Sequence, residues 1–129
     1  MRNPRVTMLS LLLVVAVVAC ESPTDAEDQA AIPEFDPPLA PSGLSTAVVS
    51  SAQIDLSWTD GSVNELSFGV ERREGQTGDW DEIDTADRDD TTFSDDDVTA
   101  ETEFCYRVRA INPWGESSYT NTSCGTTPA

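Results

Sequence analysis

Three cysteines, 24 carboxylates and seven arginines are the side chains available for chemistry, and the chain has no lysine and no histidine. Imidazole base catalysis and imidazole metal ligation are therefore excluded. Carboxylate chemistry is not, but with 24 Asp and Glu among 129 residues, pairs at glycosidase-like separations arise from number alone and single out no catalytic dyad. There is no Gly-x-Ser-x-Gly elbow and no phosphate-cradling glycine-rich loop. No catalytic residue and no cofactor is assigned, and the chain is not expected to be an enzyme. Asp87, Asp89, Asp90, Asp95, Asp96 and Asp97 invite a calcium reading, since hard cations take several carboxylate oxygens. Their spacing is not that of an EF-hand loop, and adjacent strand residues point to opposite faces, so solvated charge around turns is expected and no metal site is assigned. A net charge of −17 also excludes nucleic acid, whose binding depends on neutralising cations.

The three cysteines divide by position. Cys20 closes an N-terminal segment in which Arg2 and Arg5 precede an apolar run from Met8 to Ala19 broken only by Ser10. That is the layout of a signal peptide, and the run is too short for a stable transmembrane helix, which needs about 20 residues. Val17-Val18-Ala19-Cys20 resembles the lipobox of bacterial lipoproteins. The resemblance implies cleavage before Cys20 and acylation of its thiol, an anchor that holds because two or more chains bind stably where one binds reversibly. Residues 1–19 are then the signal peptide. Export favours disulfides, and lipidation of Cys20 leaves Cys105 and Cys124 as a pair.

Residues 20–39 contain four prolines and six acids and show no sustained hydrophobic period. This composition predicts a disordered acidic tether, held extended by proline and by charge repulsion. From Pro41 the pattern changes to short alternating runs. Ile54, Leu56 and Trp58 alternate with polar residues, as do Phe68 and Val70, and Phe104, Tyr106, Val108 and Ala110. Asp60-Gly61-Ser62, Glu74 to Gly78, the stretch around Asp95 and Asn112-Pro113-Trp114-Gly115 read as the turns between them. An all-β sandwich follows.

Several of these segments resemble the fibronectin type III domain over residues 40–127: Pro41-Ser42-Gly43-Leu44, Ile54-x-Leu56-Ser57-Trp58-Thr59, Asp60 and Asn64-Glu65 before Phe68-x-Val70-Glu71-Arg72, Trp80 with Ile83, and Tyr106-Arg107-Val108-Arg109-Ala110-x-Asn112. The resemblance implies a seven-stranded immunoglobulin-like sandwich with Greek-key connections over residues 40–129. Val98-x-Ala100-x-Thr102-x-Phe104 departs from the family's Leu-x-Pro-x-Thr-x-Tyr corner, and Phe104 lacks the hydroxyl for the corner hydrogen bond.

A hairpin about the Pro113–Gly115 turn sets Cys105 opposite Cys124, with Arg107 opposite Thr122 and Arg109 opposite Thr120, and predicts a structural disulfide. In the resembled fold Arg72, Arg73, Arg107 and Arg109 lie on neighbouring strands. They make either a basic stripe for an anionic partner or a set of cross-strand pairs with Glu71 and nearby carboxylates. Trp114 at a turn tip is either a binding anchor or packed on its own hairpin. Arg73, Arg107, Arg109 and Trp114 are the candidate binding residues. The expected protein is a monomeric, non-catalytic binding or spacer module in the bacterial cell envelope. It is held to the membrane through N-terminal lipid at Cys20, with an envelope protein or polysaccharide as partner; a secreted accessory module or small hydrolase is the alternative.

Overall fold

The computed structural model describes residues 35–129; the expected signal peptide, Cys20 and the expected tether up to residue 34 lie outside them. Eight strands form in order: β1 (Ser42–Ser50), β2 (Gln53–Thr59), β3 (Ser67–Glu74), β4 (Asp81–Asp87), β5 (Thr92–Asp95), β6 (Glu103–Asn112), β7 (Gly115–Glu116) and β8 (Ser123–Thr126). They make two antiparallel sheets, β1-β2-β5 and β4-β3-β6, with β7 and β8 both paired to β6. No described residue is helical.

Period-two alternation sets the layers. Leu44, Ile54, Leu56 and Trp58 from one sheet meet Phe68, Val70, Ala86, Phe104, Tyr106, Val108 and Ala110 from the other, with Val98 closing the core. Burying each large apolar side chain stabilises the fold by about 1.5–3 kcal/mol. The register is fixed by the same pattern, since a slip of one residue would turn every one of these groups to solvent.

Eight strands replace the expected seven because the last one is interrupted. Extending the β7 register, in which Ile111 faces Glu116, would set Cys105 against Thr122, whereas Cys105 pairs with Cys124. Two residues are taken up between β7 and β8, where the Ser117 and Thr120 amides donate to the Ala110 (2.9 Å) and Val108 (2.8 Å) carbonyls and their hydroxyls take the returning bonds. The Ser117 hydroxyl accepts from the Ala110 amide at 2.8 Å and the Thr120 hydroxyl from the Val108 amide at 3.0 Å. Thr120 is therefore buried and turned inward, and the expected pairings of Arg107 with Thr122 and Arg109 with Thr120 do not form.

The disulfide does: Cys105 and Cys124 are bonded across β6 and β8 with Cα atoms 4.0 Å apart. The corner lacking its tyrosine is closed otherwise, by Thr127, whose amide donates to the Thr102 carbonyl at 3.0 Å and whose hydroxyl accepts from the Thr102 amide at 3.1 Å. The sheets are tied by Asp95 of β5. Its carboxylate accepts from the Tyr106 hydroxyl at 2.8 Å and pairs with Arg72 at 2.9 Å. Burial and the Asp95 carboxylate push the Tyr106 hydroxyl far above its ordinary value, so it remains a donor.

Residues 35–39, assigned by composition to the tether, lie against the domain. The Asp36 carbonyl accepts from the side-chain amides of Asn64 (3.0 Å) and Asn112 (2.9 Å). Glycine permits the approach: a Cβ at Gly115 would stand 3.0 Å from the Pro37 ring, and one at Gly61 would collide with the Ala40 carbonyl.

Candidate functional site

Two regions hold the candidate residues. The first is the outer face of the sheet built on β3 and β6. Antiparallel register places Glu71 opposite Arg107 and Gly69 opposite Arg109, with Arg73 opposite Cys105. Arg72, the neighbour of both Glu71 and Arg73, turns to the inner face and spends its charge on Asp95, so the outer face carries three of the four arginines. Arg107 pairs with Glu71 through Nε at 2.8 Å and Nη2 at 2.7 Å, both nitrogens on the one oxygen Oε1 in a charge-assisted contact. Arg109 lies 3.8 Å from the same carboxylate and 2.8 Å from Glu116. The Tyr119 hydroxyl donates to Glu71 at 2.6 Å.

Aromatic rings fill the spaces between these cations. The Arg107 guanidinium lies 4.3 Å from the Trp80 ring centre and 3.8 Å from that of Tyr119; Arg73 lies 4.6 Å from Trp80 and Arg109 4.9 Å from Tyr119. The order across the sheet is thus Arg73, Trp80, Arg107, Tyr119, Arg109. Each contact adds a modest cation–π attraction, and Glu71 anchors the centre. Burial alone would raise the Glu71 carboxyl, but the Tyr119 hydroxyl and the Arg107 and Arg109 guanidiniums outweigh it and hold the group below the ordinary glutamate value. Tyr119 and Trp80 were not singled out from the sequence as parts of this face; Tyr119 reaches it because of the β7–β8 interruption.

The second region is the loop end where residues 35–41, the β2–β3 loop (60–66), the β4–β5 turn (88–91) and the β6–β7 turn meet. Trp114 is 47% exposed, and its ring meets Phe35 edge to face at 5.1 Å between centres. It packs on the N-terminal segment, a partner that hairpin geometry alone does not suggest. Phe35, Leu39, Val63, Leu66 and Trp114 are all exposed here. In the β2–β3 loop, the Asp60 carboxylate accepts from the Ser62 amide at 3.0 Å, and the Ser62 hydroxyl donates to Glu65 at 2.5 Å. Glu65 is fully buried, and carboxylate oxygens of Asp60, Glu65 and Asp89 converge within 4.8 Å of one another. Burial would raise the Glu65 carboxyl, but the Ser62 hydroxyl bond leads the influences that hold it below the ordinary value. Asp89 is pushed up, first by a hydrogen bond shared with Glu65 and then by burial and the Glu65 charge.

The rest of the aspartate set separates. Asp95 is buried between the sheets, and Asp90 accepts from the Asp87 amide within its own turn at 3.1 Å. Asn121, which heads a formal glycosylation sequon, spends its amide on β1, donating to the Leu44 carbonyl at 3.0 Å and accepting from the Leu44 amide at 2.9 Å.

No protein-family model matches the chain. A stretch of 92 residues, 71% of the chain, is 32% identical to part of Exoglucanase B of Cellulomonas fimi, and the chain spans only 8% of that protein. Among solved structures, a Fn3-like protein from Clostridium thermocellum is 25% identical with a TM-score of 0.60, covering 71% of this chain and 95% of that one. The fn3 domain of human collagen alpha-1(XX) is 20% identical with a TM-score of 0.62, over 72% and 88%. Titin kinase with its flanking domains is 24% identical with a TM-score of 0.63, over 71% and 17%. The fold is that of a fibronectin type III sandwich.

Proposed function

We propose that the chain is a lipid-anchored bacterial envelope protein that presents one non-catalytic fibronectin type III-like module, with its contact surface at the loop end of the sandwich. The observation that carries this reading is the contrast between the two candidate regions. Arg107 and Arg109 pair with Glu71 and Glu116, and they and Arg73 stack on the Trp80 and Tyr119 rings. At the loop end, Phe35, Leu39, Val63, Leu66 and Trp114 leave apolar area in water, and a half-exposed tryptophan among apolar neighbours is the composition of a contact site. Anchoring rests on the lipobox-like sequence ending at Cys20.

Fatty-acid labelling and membrane fractionation of the full chain in a bacterial host test the anchor. The unmutated protein takes up label and sediments with membranes; Cys20→Ser blocks both. Label in the Ser variant, or none in the parent, overturns the anchor. A polysaccharide is the second reading for the partner, favoured by the similarity to Exoglucanase B. It predicts retention on insoluble glucan that Trp114→Ala abolishes.

A further inference from the structure

We propose that Asp60, Glu65 and Asp89 form a calcium-binding site that joins the β2–β3 loop to the β4–β5 turn. Two oxygens bound to one calcium at about 2.4 Å lie at most about 4.8 Å apart, and the three carboxylates already bring an oxygen each within 4.8 Å of the others. The second observation is independent of that clustering. Glu65 is 0% exposed and, with Asp89 ionised, its Oε1 accepts no hydrogen bond, since the bond that Asp89 shares with Glu65 requires a proton between the two carboxyls; a buried carboxylate oxygen without a partner carries a large desolvation cost. Ser62 satisfies only the other oxygen. Arg88, the residue before Asp89, attracts it but makes no hydrogen bond to the cluster, its guanidinium reaching the Val63 carbonyl at 3.4 Å. A hard divalent cation placed among the three carboxylates supplies a partner to the buried Glu65 carboxylate and relieves the repulsion between neighbouring negative groups.

The donor set selects the ion. All three ligands are carboxylates, with no sulfur or imidazole nitrogen, which disfavours zinc and copper. Asp89 and Asp60 reach solvent, which leaves the remaining positions of a six- to eight-coordinate ion to water, and the ligands come from two separate loops, a flexible arrangement that suits calcium better than the strict octahedron of magnesium. The bound ion would fasten the turn at 88–91 to the loop beside Val63 and Leu66, two of the apolar residues of the proposed contact surface. The site itself stands apart from the anchoring reading.

Calorimetric titration of calcium chloride into the chelator-treated, full-length protein tests it. The expected result is one saturable site of about 0.1–1 mM, the range of extracellular modules, with at least tenfold weaker binding of magnesium. Asp89→Asn and Asp60→Asn each weaken calcium at least tenfold; Asn is compatible with the left-handed backbone of Asp89, at φ 66°. Glu65→Gln abolishes the site, and should that variant not fold, the exposed Asp89→Asn decides. Asp96→Asn with Asp97→Asn, a control in the β5–β6 connection, leaves affinity unchanged. No saturable heat, equal affinity for magnesium, or equal weakening by the control pair would overturn the proposal.

Discussion

The carboxylates at the centres of the arginine face and the loop end, Glu71 and Glu65, differ in how completely they are satisfied. On the arginine face, Glu71 accepts from Arg107 on one oxygen and from the Tyr119 hydroxyl on the other, with a longer contact from Arg109, and the guanidiniums stack on Trp80 and Tyr119 although the Arg73 and Arg109 Nε atoms find no acceptor. At the loop end, the buried Glu65 keeps an oxygen without a donor and five apolar side chains remain in water. A cluster of like residues in a sequence does not tell which of the two it is. The difference is made by what the register brings opposite: Glu71 faces Arg107 across one ladder, whereas Asp60, Glu65 and Asp89 gather from two loops with no cation among them.

If the arginine-face sheet is a self-contained scaffold, breaking it costs stability and spares the loop end. Reduction of Cys105–Cys124, with a separation of 19 residues, should lower stability by about 3 kcal/mol on chain-entropy grounds, read as a fall in the melting temperature relative to the oxidised protein. Glu71→Gln removes the charge that Arg107 and Arg109 share and should cost about 2 kcal/mol, measured by urea denaturation. A cost within a few tenths would mean that the aromatic stack alone holds the face.

The pH dependence sharpens the same contrast. Because the folded Glu71 carboxyl titrates below its unfolded value, its contribution is fully present above the ordinary glutamate range near pH 4.3 and is lost as pH falls through the folded value. The unmutated protein should therefore lose stability steeply on acidification below about pH 4.5, and Glu71→Gln should flatten that limb. Equal acid limbs would place the sensitivity elsewhere. The smallest effect is expected from Trp114→Ala, since the ring is half-exposed and meets Phe35 edge to face: about 1 kcal/mol or less, with the Phe35 segment losing its amide-exchange protection first.

The sandwich was legible because alternation is a local signal. Ile54, Leu56 and Trp58, Phe68 and Val70, and Phe104, Tyr106, Val108 and Ala110 declare one buried face each, and all are buried. The disulfide was legible from a single hairpin register, but the interruption after Glu116 was not, since it depends on Ser117 and Thr120 hydroxyls replacing ladder partners. That interruption is what misplaced the partners of Arg107 and Arg109 and hid Tyr119. Arg72 was read with its neighbours although strand alternation turns it inward, to Asp95. Asp89 was seen within an aspartate-rich stretch, but its company with Asp60 and Glu65 depends on two loops meeting at one end of the sandwich, which spacing along the chain does not record.

Site-specific photo-crosslinking of the full-length protein in its native host tests the proposed contact surface most directly. Photoreactive residues replace Val63 and Trp114 at the loop end, and Thr85 and Arg107 on the outer face of the β4-β3-β6 sheet. The account predicts a discrete crosslinked partner from Val63 and Trp114 and none from Thr85 and Arg107. Crosslinks from the sheet face with none from the loop end would contradict it.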